Sequence, residues 1–418
     1  MPTRTSPAIS KSMFRCSEML KHVVAAVLLL AALPAHAADW EGVYQGTLGK
    51  AKIIVELVEP LDDMEGETKR ETSRYSYLPK VRDLNLMLTE KGATLAFDET
   101  ALLAYEFATD EDKKITGHWR LTPSGDGAKG TWTSPDGAKK LPIVLARVPD
   151  LAESDHNRDL NIWSDTYNAQ WLKSVSFADA GEAKRFGDIE VRFVKDSAFG
   201  IAYPVLGAFP DAARKEKANA LLLAAHRASV AQYRDCKNGV PASWAADSTE
   251  NEPEFAYEIS YATATLLSFT ESGSVFCGGA HPANYLTPIT YDLTAPAQMG
   301  GKYLLDLSPE GFGRVLKLAS EDERIAFERF AIGRWKAAAA KDQAMAEECN
   351  GMWMEEAPEG ERDFKLSFTT QGLAVTRTDF PHVASSCLFT DFNPTIITWS
   401  DLKPWLRDGQ KLLSGEVR

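Results

Sequence analysis

A short run of the sequence, Cys277-Gly278-Gly279-Ala280-His281-Pro282, brings together residue types that could do chemistry. An imidazole such as that of His281 is a common general acid or base. The alternative is a tight loop, because two glycines reach torsions closed to other residues and a proline stiffens the exit. In such a loop the imidazole would bond to nearby backbone. The sequence holds neither a G-x-S-x-G nor an H-E-x-x-H motif. We therefore expect no catalytic residue, and we take Gly278, Gly279, His281 and Pro282 as a candidate interface loop.

Acidic pairs are the other candidates for chemistry. Asp62-Asp63 and Glu355-Glu356 could be imagined as the acid and base of a glycosidase. Adjacent side chains on one strand point to opposite faces, however, so such pairs do not converge on one substrate. We expect these carboxylates to be solvated.

Four of the five cysteines lie beyond residue 200. In an oxidising compartment an even number of cysteines predicts disulfides, here two. Three connectivities are open for Cys236, Cys277, Cys349 and Cys387. We favour Cys236–Cys277 and Cys349–Cys387, because each closes a loop of about forty residues, worth roughly 3–4 kcal/mol in the chain-entropy account. A zinc site is the alternative. No C-x-x-C pair exists, and His281 is the histidine nearest to one of these cysteines, so neither a metal nor another cofactor is expected.

The first 37 residues have the pattern of a secretory signal peptide. Basic residues precede an apolar run over 23–33, and Ala35-His36-Ala37 supplies the small residues of a cleavage site. A membrane anchor, the alternative, needs roughly 20 apolar residues to cross the hydrocarbon. The pattern predicts cleavage after Ala37, a periplasmic or secreted location, and no membrane span in the mature chain.

The 418-residue chain is acidic, with a formal net charge of −13. Residues 1–37 hold four basic residues and one acidic residue, which leaves 42 basic against 58 acidic residues, a balance of −16. Nucleic-acid binding needs clustered Lys and Arg and is not expected. A charge of this sign keeps an exported protein soluble and attracts a cationic partner at long range.

Two domains of an α+β protein are expected in the mature chain. The first reads as about eight short antiparallel strands broken by turn residues, enough for a small barrel or a sandwich. A hydrophilic acidic stretch then marks a boundary, and beyond it strand and helix patterns alternate. The expected segments are a signal peptide over 1–37, the β-domain over 38–148, a linker and lead-in segment over 149–187, the α+β domain over 188–408 and a tail over 409–418.

The α+β domain is expected to hold an antiparallel sheet and two main helices. One helix starts at Pro210 and the other lies within 309–347. Residues 255–269 alternate as one long half-buried strand, and further strands are expected near the C-terminus. The apolar stripe predicted for the first helix is Leu221, Ala224, Ala225 and Ala228, and that for the second is Phe327, Ala331, Trp335 and Ala338. The aromatic residues expected in the core, rather than on a binding face, are Phe255, Tyr257, Tyr261 and Trp335.

Several segments of 188–408 resemble the RsiV-like C-terminal domain, a module of secreted bacterial proteins. That family combines a G-G-A-H-P-like loop, a strand with Y-D-L, a glycine turn and an L-x-D-L-F motif. The matching segments here are 277–282, Ile289-Thr290-Tyr291-Asp292-Leu293, G-K-Y-L-L-D-L over 301–307, A-Y-P-V-L over 202–206 with Asn219 in the next helix, and the closing segments 364–368, 371–375 and 399–406.

This chain departs from the family pattern where Ser308-Pro309 stands in place of an aromatic residue after the D-L pair. It also lacks the catalytic domain of the deacetylase-associated relatives, so the resemblance implies no deacetylase activity. RsiV itself is an anti-sigma factor whose exported domain binds lysozyme. Its sigma-binding segment and transmembrane helix are not expected in this chain.

The resemblance and the charge together predict an exported, non-catalytic protein-binding module of the cell envelope. Its expected partner is a cationic protein such as lysozyme or another cell-wall hydrolase. Two alternatives stay open at this point: a periplasmic enzyme acting on cell-wall glycan or peptide, and a structural envelope protein.

Overall fold

The structure, a computed structural model, has an α+β fold. It describes residues 40–59, 73–101, 114–150, 165–240, 254–277, 282–294, 311–341, 364–378, 387–391 and 393–407. These residues form an eight-stranded antiparallel barrel, followed by three small antiparallel sheets and four α-helices. The predicted fold class is confirmed, and of the two predicted β architectures the chain adopts the barrel. The predicted signal peptide and the tail over 409–418 lie outside the described residues.

The barrel is built from neighbouring strands that pair in sequence order, and it closes where the first strand pairs with the last. Its strands are β1 (Gly42–Leu48), β2 (Ala51–Leu57), β3 (Ser73–Tyr77), β4 (Leu84–Glu90), β5 (Leu95–Thr100), β6 (Ile115–Ser124), β7 (Gly127–Thr133) and β8 (Lys140–Arg147). At the closing seam Gly46 faces Leu145. A Cβ at Gly46 would come within 1.9 Å of the Val144 carbonyl oxygen, so the two strands approach this closely only because residue 46 has no side chain.

Side chains fill the barrel, because alternate residues of each strand point inward. Ile53, Phe97 and Trp119 are among the interior residues that are at most 1 % exposed. The barrel interior is therefore a packed core that holds the eight strands together.

The remaining elements form three sheets and the helices. The strands are β9 (Phe177–Phe186), β10 (Ile189–Asp196) and β11 (Ala202–Leu206) in the order β11-β10-β9; β12 (Glu254–Ala262), β13 (Leu266–Val275) and β14 (Ala283–Asp292) in the order β12-β13-β14; and β15 (Phe364–Phe368), β16 (Gly372–Arg377) and β17 (Thr395–Thr398) in the order β15-β16-β17. The helices are α1 (Asp165–Leu172), α2 (Ala212–Asn238), α3 (Glu321–Ala339) and α4 (Trp399–Leu402), with 3-10 turns at Phe312–Arg314 and Lys403–Trp405. The two predicted main helices are α2 and α3.

Both main helices begin at a residue that satisfies free backbone N–H groups. The Asp211 carboxylate accepts from the Arg214 backbone N–H at the start of α2. Ser320 and Glu323 form a reciprocal capping box at the start of α3. Helix α2 packs its first half against β10–β14, and α3 packs against β15–β17.

The buried face of α2 differs from the predicted apolar stripe. Residues at every fourth position are buried, and they include three polar side chains. They are Ala218, Leu222, His226, Val230, Arg234 and Asn238. Ala224, which belongs to the predicted stripe, is exposed. The prediction is therefore right only in part. Ala228 is buried and Leu221 and Ala225 pack against the core, but the stripe omits the polar residues of the buried face because it followed apolar residues alone.

The predicted long strand over 255–269 is a hairpin of β12 and β13, so that prediction is wrong. Thr263 makes the turn: its backbone N–H donates to the Leu266 carbonyl, and its hydroxyl accepts from the backbone N–H groups of Thr265 and Leu266. Threonine replaces the glycine or proline that usually marks a turn. The aromatic residues of β12 and α3 do lie in or against hydrophobic cores, as predicted.

The segment predicted as a linker and lead-in, 149–187, carries α1 and β9 over its described part. Tyr167 and Trp171 of α1 are fully buried, the first against Val43 and Ile54 on the outside of the barrel. This part of the segment is therefore packed structure. None of the helices in the described ranges is long and apolar enough to cross a membrane.

Candidate functional site

The disulfide favoured from the sequence, Cys236–Cys277, is present and joins the end of α2 to the end of β13. Cys387 is also disulfide-bonded. Cys349, its predicted partner, lies outside the described residues. The first bond fixes the point from which the candidate interface loop leaves β13.

The candidate interface loop itself falls largely outside the described residues, which exclude Gly278, Gly279 and His281. Pro282 is described and directly precedes β14. The loop therefore connects a disulfide-bonded cysteine to a strand of the same sheet, since β13 and β14 pair along their whole lengths.

The end of α2 also contacts the barrel, at the turn between β3 and β4. Arg82 of this turn donates to the carbonyl oxygens of Lys237 and Val240. In return, Asn238 donates to the Val81 carbonyl at 3.3 Å and accepts from the Asp83 backbone N–H at 2.9 Å. We call this contact between α1, the last turns of α2 and the barrel the junction.

The carboxylate of Asp83 is the centre of the junction, and its side chain is fully buried. Arg234 of α2 donates to its Oδ1, and Arg74 of β3 donates to its Oδ2 at 3.4 Å. Tyr167 Oη donates to Oδ1 at 2.9 Å, and Asn238 Nδ2 donates to Oδ2 at 3.3 Å. Two cations and two neutral donors, supplied by three elements, thus converge on one acid.

Aromatic rings and an amide hold the two guanidinium groups in place. The Arg234 Cζ lies 4.6 Å from the ring centroid of Trp171 and 5.0 Å from that of Tyr167. The Arg74 Cζ lies 4.3 Å from the same tyrosine ring. Arg234 also donates to Asn168 Oδ1 at 2.9 Å. Cation–π attraction is strongest at such desolvated positions, so these contacts offset part of the cost of burying the charges.

Two further carboxylates complete the charge balance of the junction. Arg74 Nε donates to Glu56 Oε2 at 2.7 Å, and its Nη1 lies 3.8 Å from Asp235 Oδ1. Asn168 donates to the other oxygen of Asp235 at 3.0 Å. Burial raises the pKa of Asp83 and of Asp235, while the two arginines oppose both shifts. The arginines therefore limit a rise in pKa that burial alone would make larger.

A second buried carboxylate lies inside the barrel. Glu99 occupies an inward position of β5, and its Oε2 accepts from Tyr75 Oη at 2.7 Å, Trp119 Nε1 at 2.8 Å and Trp132 Nε1 at 2.9 Å. Its Oε1 accepts from Thr116 Oγ1 at 2.8 Å. No cation takes part in these four bonds, so neutral donors alone satisfy this acid.

The donors around Glu99 are positioned by the strands opposite it. A Cβ at Gly117 would lie 2.1 Å from Trp132 Nε1, so a glycine there leaves room for the indole. Burial, together with the negative charge of Glu99, raises the pKa of Tyr75. The phenol therefore stays protonated and donates its hydrogen bond over the ordinary pH range.

Neither carboxylate has the geometry of a general acid or base, which needs a substrate proton within hydrogen-bond reach. Both are enclosed, and protein donors surround both oxygens of each. Across the described ranges, no group of three or more His, Cys, Asp or Glu residues could hold a metal ion. The arrangement joins structural parts and sets their geometry.

Sequence reasoning missed both clusters. Arg234 and Asn238 lie four residues apart on one face of a predicted helix, which was the available signal. Glu99 follows Phe97 at the strand period and so shares its inward face, which was the signal in the barrel. Their partners lie up to 157 residues away in sequence, so spacing alone does not reveal them.

Neither a protein-family model nor a curated protein matches this chain. The chain is similar to a crystal structure of a member of the DUF3298 family from Bacteroides fragilis NCTC 9343. The two share 12 % identity over 58 % of this chain and 97 % of that chain, with a TM-score of 0.32. A similarity of this size carries no argument about function, so the proposals below rest on the residues themselves.

Proposed function

We propose that this protein is an exported, non-catalytic binding module of the cell envelope, and that its partner is a cationic protein such as lysozyme. The export pattern of residues 1–37 and the balance of −16 that follows its removal support this proposal. The RsiV-like motifs support the same reading, because in that family an exported domain of this kind binds lysozyme.

One observation carries the proposal: the buried charges of the junction are bonded to one another and unite the barrel with the α+β part. Asp83 belongs to the barrel and Arg234 to α2, and two residues beyond Arg234 the Cys236–Cys277 bond fixes the start of the interface loop. A loop that leaves a fixed base loses less conformational entropy on binding than one that leaves a mobile base. The charged groups of the junction thus hold the base of the proposed interface loop.

The acidic balance supports a cationic partner in a second way. Opposite net charges accelerate the encounter of two proteins and leave the final contacts to determine affinity. Association with a basic protein is then expected to slow as salt rises, because screening shortens the Debye length to about 8 Å at physiological ionic strength.

The proposal is tested by measuring the binding of the mature chain to a c-type lysozyme by biolayer interferometry. We expect saturable binding that associates faster at about 50 mM than at about 150 mM salt. Cytochrome c, a basic protein of unrelated fold, is the matched partner control, and it should not saturate. Equal binding of both proteins, or no lysozyme binding at low salt, contradicts the proposal.

The interface loop is tested with His281→Ala, and His118→Ala is the matched control. His118 lies on β6 of the barrel, where its Nδ1 is 2.7 Å from Asp98. We expect His281→Ala to weaken lysozyme binding about fivefold or more, the usual threshold for an important interface side chain, and His118→Ala to change nothing. Turnover of cell-wall glycan or peptide that disappears in His281→Ala would instead establish the enzymatic alternative.

A further inference from the structure

A groove opens at the opposite end of α2 from the junction. It is a shallow groove of about 560 Å³, largely open to solvent, between β9, β10, the end of β11 and the first turns of α2. Its polar side chains are Arg185, Glu190, Arg192, Lys215 and Asn219. The groove thus collects three cations in a chain whose net charge is −13.

The single carboxylate in the lining is already paired with two of these cations. Glu190 accepts from Arg185 Nη2 at 2.7 Å and from Arg192 Nε at 2.9 Å. Arg192 Nη1 also donates to Asp179 at 2.8 Å, at the margin of the groove. Lys215 forms no ion pair with any residue that the structure describes. The two acids therefore orient the arginines, and no carboxylate among the described residues forms an ion pair with the lysine.

The wall of the groove is kept open and fixed by two residues. Gly207 lies where a Cβ would meet Glu190 Oε1 at 2.6 Å and Arg192 Cγ at 3.0 Å, so any side chain there would displace the ion pair. Asn219 bonds to both the N–H and the carbonyl of Leu206, at 2.7 Å and 2.9 Å, as a neighbouring strand would. The backbone that borders the groove is therefore held by a side chain of α2.

We propose that this groove binds a phosphate group, through Lys215 and the free guanidinium donors of Arg185 and Arg192. Arginines that a carboxylate already orients lose less freedom on binding a planar or tetrahedral oxyanion, and lysine adds a further positive charge. The phosphate can belong to a free anion or to a phosphorylated sugar, and the two sources share this chemistry. The groove is separate from the junction, so phosphate binding there is independent of the proposed binding of a cationic protein.

The test is isothermal titration calorimetry at low salt, in which the mature chain is titrated separately with inorganic phosphate and with glucose 6-phosphate. Saturable binding is expected with one site per chain. Tighter binding of the ester indicates a phosphorylated sugar, and equal affinities indicate the free anion. The absence of saturable binding to either probe overturns the proposal.

Variants locate the site. Lys215→Gln should raise the dissociation constant for phosphate about tenfold, because it removes a charged donor. Lys217→Gln changes the net charge equally but affects an exposed lysine outside the groove, and it should leave affinity unchanged. Gly207→Ala should also weaken binding, since its methyl group would displace Glu190 and Arg192. Equal losses in Lys215→Gln and Lys217→Gln would mean that net charge alone attracts the anion, which contradicts the proposal.

Discussion

Two buried carboxylates in this molecule are satisfied in opposite ways. Glu99, inside the barrel, accepts four hydrogen bonds from neutral donors that all belong to barrel strands. Asp83, on the outside of the barrel, meets two arginines, one of which comes from α2. The first acid is satisfied within its own domain, while the second is satisfied only when two parts of the chain meet.

The Glu99 cluster therefore stabilises the barrel itself, whereas the Asp83 cluster joins the barrel to the rest of the chain. The Glu99 cluster needs only β3, β5, β6 and β7. The Asp83 cluster needs α1 and the last turns of α2 as well. Loss of Asp83 should therefore weaken the whole molecule, and loss of Glu99 should weaken chiefly the barrel.

The largest expected effect comes from Asp83→Ala. It leaves Arg234 and Arg74 buried without their shared acid, and breaking a buried ion pair in this way costs about 3–5 kcal/mol. Urea denaturation should show a lower midpoint for the entire protein. Asp188→Ala, at an exposed turn, is the control and should stay within about 0.5 kcal/mol of the parent. A loss below 1 kcal/mol in Asp83→Ala would contradict the central role of the junction.

The disulfide comes next. The double variant Cys236→Ser/Cys277→Ser removes a cross-link between residues 41 apart, worth roughly 3–4 kcal/mol of unfolding free energy. Because the bond adjoins the junction, amide hydrogen exchange should accelerate in the last turns of α2 and at the end of β13. Exchange in β5 and β6, around Glu99, should remain as in the parent under native conditions. Uniform acceleration through both regions would remove the distinction between them.

Glu99→Gln sharpens the barrel side of the comparison. An amide keeps the shape, and its oxygen can still accept from Tyr75, Trp119 and Trp132, but it removes the negative charge that strengthens these bonds, which we expect to cost about 2 kcal/mol. Thermal denaturation, followed by the fluorescence of the tryptophans that contact this side chain, measures the loss. Asp98→Asn, at the neighbouring outward position, is the matched control. If the two variants lose equal stability, the inward cluster has no special role.

The smallest effect concerns a third carboxylate, Glu271 of β13. Burial raises its pKa, although Tyr285 Oη donates to it at 3.3 Å. The folded state therefore prefers the protonated acid. The free energy of unfolding gains from this preference at low pH, and the gain is lost as the pH rises from the ordinary glutamate pKa of about 4.3 through the raised pKa of the folded state. Glu271→Gln should flatten this decline in denaturation experiments across the pH range. Glu258→Gln, an exposed position on β12, should leave it unchanged.

Most of the regular structure could be predicted from the sequence, because its signals are local. The barrel strands show alternating apolar residues and turn residues between them. Helix α3 has its apolar stripe at Phe327, Ala331 and Trp335, and these residues are buried. The Cys236–Cys277 bond was also predicted from the number of cysteines and the length of the loop that the bond closes.

The remaining features depend on contacts between distant residues. The turn at Thr263 carries no glycine or proline, so a hairpin looked like one strand. The buried face of α2 contains Arg234. An arginine on a helix is expected to face solvent, and its burial is explained only by its bond to Asp83, which lies 151 residues earlier in the chain. Tyr167 and Trp171 lie next to an acidic stretch that suggests a linker. Their burial depends on the barrel surface, which no local pattern encodes.

The pairing of Arg234 with Asp83 has a consequence for how relatives of this protein can be recognised. A homologue that had lost the barrel would retain a cation among aromatic rings without the acid that bonds to it directly, and we expect substitution of that cation by an apolar residue to be favoured there. The identity of residue 234 should thus mark whether an ancestral barrel is still attached, even in a fragment that begins after it.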